Sequence, residues 1–333
     1  MTSRSFAWRR FAFITVLMAA VAAVLIVVST VAARTARRAA ARPVILLLHG
    51  RGQLGRDTAE IRSEWERALQ AGVRSLTGNP LIGDDDVRLV WYADVLDPAS
   101  VASGCEAEEQ RARARARAAD TTDDAGEVLQ LIFGVTSTLF TSLYESIPEE
   151  SRTAMRAVVG DILYLGDNWR RCGVERRIEA ALTRAAREDR PVILVAHSFG
   201  SLVAYSYLRS DRTRAKGARP DIHRFVTLGS MLGIPELQQL LLGRADSLPL
   251  PTSVGSWVNV RHTGDPFAVP LIGAGRRGKG FHEVVIDAGA ADPHDIRAYL
   301  RDPEAARAIV WSWCDAFRGT RPAGCRDVQR DIP

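Results

Sequence analysis

Cysteine is scarce in this chain, with four residues in 333: Cys105, Cys172, Cys314 and Cys325. That is too few for a small scaffold held together by disulfides, and the wide spacing lacks the close pairs of a structural zinc site. An even number still permits two disulfides, which would favour a body outside the cytoplasm. Acidic residues are missing from positions 1 to 42, where Arg4, Arg9, Arg10, Arg34, Arg37, Arg38 and Arg42 stand alone. The remaining 37 basic and 39 acidic residues nearly cancel, so the formal charge of +5 resides at the amino terminus. Nucleic-acid binding by a broadly basic surface is thereby disfavoured. Aromatic residues make up only 7%, yet 47% of the chain is apolar and 25% charged, a balance that excludes disorder as the main state and supports one large domain. No internal repeat is apparent.

Charge is also missing from Phe11 to Ala33, a run of 23 residues. A helix of that length spans the ~30 Å hydrocarbon layer of a bilayer. The expectation is a transmembrane anchor. A cleaved signal, with Val31, Ala32 and Ala33 as a small-residue cleavage site, is the alternative, although its apolar part is normally only ~7 to 15 residues. Arginines flank both sides, so charge does not orient the segment. Residues 1–42 are read as a basic terminus with this helix, and 43–333 as the body.

In the body, short aliphatic runs alternate with helical stretches, the pattern of a mostly parallel sheet flanked by helices. The fold class is α/β. Strands are expected at Pro43–Leu48, Val87–Tyr92, Pro191–Ala196, Ile222–Leu228, Trp257–His262 and His282–Asp287. Helices are expected at Asp57–Leu76, Gly173–Glu188, Phe199–Arg209 and His294–Phe317. Residues 96–172 exceed what a crossover needs and read as an insertion above the sheet. Its first half alternates Arg111, Arg113, Arg115 and Arg117 with alanine among acidic residues, a pattern of solvated helix that could also meet anionic lipid. From Val128 to Tyr144 it is uncharged; its 17 residues are short for a second membrane span, and a helical cap over a cleft or an ordinary buried helix suits it better.

Pro191 to Ser201 carries the most chemical information: a strand runs into Ser198 and then directly into an amphipathic helix. Such a turn lifts a serine hydroxyl clear of the sheet, and it needs small residues two positions to either side. Gly200 supplies one, and Ala196 stands where the usual pattern has glycine. The amide of Phe199, at the helix start, points toward the place where negative charge develops on a substrate oxygen. In these residues the chain resembles an α/β-hydrolase of the esterase and lipase type. His49-Gly50-Arg51-Gly52 after the first strand resembles the His-Gly loop of lipases, and by that match the Arg51 amide is the second oxyanion donor, with His49 structural. Thr227-Leu228-Gly229-Ser230 and Gly264-Asp265-Pro266 resemble the closing segments of the family.

A serine nucleophile needs an imidazole base held by a carboxylate. Reactive groups in an open parallel sheet collect at the carboxyl ends of strands. His223 and His282 begin their strands and so lie near the opposite edge. His197 adjoins Ser198 and is expected to point away, and His262 is too near the acid in sequence. His294 follows the last strand, with Asp292 expected to cap a helix and Pro293 in its first turn. Asp265 is the expected acid; Asp287, Asp292 and Asp295 suit turns and caps better. The order Ser198, Asp265, His294 matches that of the family.

The resemblance implies acyl transfer to Ser198 and hydrolysis of a carboxylic ester, with no metal or organic cofactor. The apolar anchor and cap favour a lipid or acyl ester at a membrane. Gly273 to Gly280, with Arg276, Arg277 and Lys279, could cradle an anionic headgroup, but reads more simply as a surface turn. A non-catalytic, membrane-tethered binding protein is the alternative from another class. A dinucleotide-binding protein fits less well, because the glycine loop lacks its third glycine and no acidic ribose ligand ends the second strand.

Overall fold

The computed structural model describes residues 42–97, 105, 168–210, 221–234, 237–238, 248–271, 280–287 and 289–328. The anchor segment 11–33, residues 106–167 of the insertion with its basic run and apolar stretch, and the basic part of the glycine-rich turn lie outside these residues. Among the described residues no helix is long and apolar enough to cross a membrane.

Six strands form one sheet: β1 (Val44–Leu48), β2 (Val87–Val90), β3 (Val192–His197), β4 (Ile222–Leu228), β5 (Val254–His262) and β6 (Phe281–Ile286). Their order is β2-β1-β3-β4-β5-β6, and each neighbouring pair is parallel. The sequence expects the same six strands; β4 coincides at both ends, and the other ends differ by at most three residues. Side chains alternate between the two faces of a strand, so each face gathers its own core. Val44, Leu46, Leu48, Val192, Leu194 and Ala196 pack with one set of helices. Ile45, Leu47, Ile193 and Val195 pack with the other.

The first set holds α3 (Asn168–Arg187) and α4 (Phe199–Arg209), through Val174, Ile178, Leu182, Leu202 and Val203. The second holds α1 (Thr58–Thr77) and the carboxyl-terminal helices, through Trp65, Leu69, Ile309 and Trp313. Asp57 starts α1 by accepting from the Ala59 and Glu60 amides, both at 2.8 Å. Such a cap stabilises a helix by about 1 kcal/mol.

The single helix expected at 294–317 is two: α5 (Ile296–Arg301) and α6 (Pro303–Asp315). A residue before proline is pushed out of the helical region, and here Asp302, at ψ 129°, ends α5 and caps α6. Asp295 rather than Asp292 caps α5, accepting from the Arg297 amide at 2.8 Å. Asp292 instead accepts from the His294 amide at 3.1 Å. His294 therefore precedes the cap and lies on the loop between β6 and α5.

The insertion leaves the body after α2 (Ala93–Leu96) and returns at α3. A disulfide joins Cys105 to Cys172, and buried Arg170 donates to the carbonyls of Val95 at 3.1 Å and Asp97 at 2.6 Å. Both ends of the insertion are thus fixed beside the carboxyl end of β2. At the opposite edge, buried Asp86 receives Arg42 at 2.5 Å and Arg190 at 2.9 Å. Arg42, the last of the basic run, is in this way tied to the body. A second disulfide joins Cys314, at the end of α6, to Cys325, the first residue of α7 (Cys325–Val328).

Candidate active site

Strand connections reverse direction between β1 and β3, and the crevice outside the carboxyl ends of strands at such a point is where α/β sheets bind ligands. Ser198 stands there. Its backbone, at φ 54° and ψ −127°, occupies a region that costs a non-glycine residue of order 1–3 kcal/mol. Surrounding bonds hold it: the Ser198 amide donates to Leu228 O at 3.0 Å, and the Ser198 carbonyl accepts from the Ser201 amide at 2.9 Å and hydroxyl at 2.6 Å. Ser230 donates in turn to the Ser201 hydroxyl at 2.8 Å. This buried chain ties the turn after β3 to the loop after β4.

Small residues are required around the turn for a measurable reason. A Cβ on Gly200 would lie 2.5 Å from His49 O, and one on Gly50 would lie 2.9 Å from Ser198 Cβ. The loop leaving β1 is in direct contact with the serine. Ala196, opposite Leu48 and Thr227 in the ladder, is fully buried in the core on the α4 side, so its methyl is accommodated. Of the two expected oxyanion donors, Arg51 follows Gly50 on this loop and Phe199 opens α4.

Three strand ends bring Ser198, His294 and Asp265 together. Ser198 Oγ lies 2.8 Å from His294 Nε2, and His294 Nδ1 lies 2.8 Å from Asp265 Oδ2 and 2.9 Å from Oδ1. A carboxylate only accepts, so the Nδ1–H donates to Asp265 and Nε2 is left to accept from the serine hydroxyl. Asp265 also receives the Tyr299 hydroxyl at 2.7 Å and the Phe267 amide at 2.9 Å. Burial by itself would raise the Asp265 pKa, but these donors outweigh it and hold the carboxyl below its ordinary value. The Tyr299 hydroxyl is pushed the other way by burial and by Asp265, so it stays protonated. Gly229, at φ 54°, admits this arrangement: a Cβ there would sit 2.9 Å from Asp265 Oδ2.

Four of the other five histidines, His49, His197, His223 and His262, have structural partners. His49, buried, donates from Nδ1 to Gly50 O at 2.8 Å, accepts from the Tyr92 amide at 3.2 Å and stacks on Tyr92. Burial lowers its pKa to about 4. His223 meets Asp315 at 2.9 Å at the far edge of the sheet, and His262 Nδ1 accepts from the Gly264 amide at 3.0 Å. His197 is more than a neighbour of Ser198. Its Nε2–H donates to the His294 carbonyl at 2.8 Å, and burial, with His294 close by, lowers its pKa to about 3. The remaining carboxylate candidates also serve locally, Asp287 accepting from Thr263 at 2.6 Å.

Sequence reasoning does not reach Tyr299, Gly229, Ser201 or Ser230. The glycine and Ser230 lie in a segment flagged only by resemblance, and Tyr299 lies within the expected helix His294–Phe317 with no motif to mark it. An imidazole bridging a hydroxyl and a buried carboxylate can take the hydroxyl proton as the oxygen attacks an electrophile. Among the described residues no group of three His, Cys, Asp or Glu side chains could hold a metal ion.

Compared with known proteins, the chain matches no protein family and no curated protein. Among solved structures it is similar to an uncharacterized protein from Pseudomonas aeruginosa, at 10% identity and a TM-score of 0.34, over 87% of this chain and 49% of that one. The chain thus spans about half the length of that protein.

Proposed function

We propose that this protein is a serine hydrolase of α/β-hydrolase organisation that cleaves a carboxylic ester through an acyl-enzyme on Ser198. The observation that carries the reading is the continuous run of short hydrogen bonds from Ser198 through His294 to Asp265, at the end of a strained strand-to-helix turn. Ser198 Oγ attacks the ester carbonyl while His294 Nε2 takes its proton. The tetrahedral oxyanion is met by the Phe199 and Arg51 amides, the carbon–oxygen bond to the alcohol breaks, and the alcohol leaves with the proton from His294. Water then gives a proton to His294 and attacks the acyl carbon. The acid departs as Ser198 regains its proton.

The uncharged segment 11–33 would hold the enzyme on a membrane, which favours a lipid or acyl ester. Pairing of all four cysteines supports a body in an oxidising compartment outside the cytoplasm. The test is turnover of esters of graded acyl length by wild type and by Ser198→Ala. The substitution is expected to lower kcat on the order of 10⁴-fold or more without unfolding the protein. Full activity in Ser198→Ala, or no turnover of any ester by wild type, overturns the proposal.

A further inference from the structure

Ser198 leaves β3, so the loops after β1 and β2 lie on one side of it and those after β4 and β5 on the other. On the first side is a cleft lined by Gly50, Gln53, Leu54, Ala93 and Leu96. On the second, Met231 Sδ approaches Ser198 Oγ to 3.8 Å and the Phe267 ring stands 4.6 Å from the His294 ring. Phe267 is 41% exposed, and Phe267 and Val285 are the large apolar side chains so exposed among the described residues. Its amide positions Asp265, but any residue other than proline could supply that bond. The phenyl group takes no part in it.

The chemistry of the leaving step locates a substrate group here. His294 Nε2 must pass its proton to the departing alcohol oxygen, so that oxygen lies within hydrogen-bond reach of the imidazole and its carbon chain starts beside it. Phe267 borders the His294 ring, and Met231 borders the Ser198 hydroxyl that the ring faces, both on the side of the loops after β4 and β5. A partly exposed phenyl ring beside a reactive imidazole gains contact free energy when an apolar group covers it, and a thioether adapts to varied shapes. We infer that Phe267 and Met231 form the subsite for the alcohol portion of the ester, selecting bulky apolar or aromatic alcohols. This inference rests on the serine-hydrolase reading.

Hydrolysis of benzyl butanoate and ethyl butanoate, which share an acyl group, tests it. Wild type is expected to favour the benzyl ester, and Phe267→Ala to reduce that preference in kcat/KM about tenfold, mainly through KM. Phe267→Tyr keeps the preference, and the response of wild type and Phe267→Ala to acyl length, from ethyl acetate to ethyl octanoate, stays the same. An unmoved preference, or an equal slowing of both esters that places the ring's effect on His294 alone, overturns the subsite. If wild type cleaves neither ester and Ser198 resists a fluorophosphonate, the hydrolase reading itself fails and the subsite with it.

Discussion

Tyr299 holds Asp265 from behind: its hydroxyl donates to Oδ2 at 2.7 Å and accepts from the His262 amide at 3.1 Å. Tyr299→Phe removes both bonds. The expected loss is about 1–2 kcal/mol of stability, read by denaturant unfolding, with a roughly tenfold fall in kcat. Loss of stability with unaltered kcat would confine Tyr299 to a structural role. His49 and His197 make a separate prediction about pH. Burial holds both neutral in the folded protein, with pKa values near 4 and 3 against 6.5 when exposed. Below pH 6.5 the unfolded chain binds protons that the folded protein refuses, so stability is full above that pH and falls as pH drops toward 4. The slope is up to ~1.4 kcal/mol per pH unit for each histidine. The lowered Asp265 pKa acts with the same sign below the ordinary carboxylate range. Unfolding curves at pH 7 and pH 5 check this, and equal midpoints would contradict neutral burial of the pair.

Strand ends and loops place the site, and at this scale Gly229 is the most exposed to change. It closes β4 at φ 54° with Asp265 and the Tyr299 ring against the position a side chain would fill. Gly229→Ala costs about 1–2 kcal/mol for the backbone alone, because its φ of 54° is left-handed. Because the added methyl meets the carboxylate, activity should fall by more than tenfold while the fold is retained. Circular dichroism with ester kinetics reads the two effects separately, and an active variant would show that Asp265 can shift without consequence. Much of this framework is legible in the sequence, because a parallel strand buried on both faces needs a continuous aliphatic run and a strand-to-helix serine needs small flanking residues. The runs ending at Leu48, Ala196 and Leu228 locate β1, β3 and β4, and strand polarity selects His294 over His223 and His282. Contacts made only through space are not legible in this way: Tyr299 reaches Asp265 from α5, and His197 reaches a carbonyl 97 residues away. The break at Asp302-Pro303 follows a local rule, the restriction a proline places on the residue before it, which the single helix expected at His294–Phe317 leaves out.

Across the whole molecule, two disulfides close parts of the chain that the sheet does not. Cys314–Cys325 fastens the carboxyl-terminal segment to α6, and Cys105–Cys172 joins the two ends of the insertion across 67 residues. By loop-closure entropy they contribute about 3 and about 4 kcal/mol. A Cys314→Ser/Cys325→Ser double variant should therefore lose about 3 kcal/mol in denaturant unfolding and keep its ester specificity, since both residues lie away from Ser198. Unchanged stability would mean that this bond is not formed in solution. The sheet also gives the molecule two ends, with Arg42 and Asp86 where the chain enters β1 and Ser198, His294 and Asp265 at the carboxyl edge. The proposed hydrolysis depends on one reactive hydroxyl at that carboxyl edge. Its most direct test is to treat the folded protein with a fluorophosphonate and map the adduct by peptide mass spectrometry. The expected result is one adduct on Ser198, abolished in His294→Ala; a folded wild-type protein left unmodified at Ser198 would rule out this serine as the nucleophile.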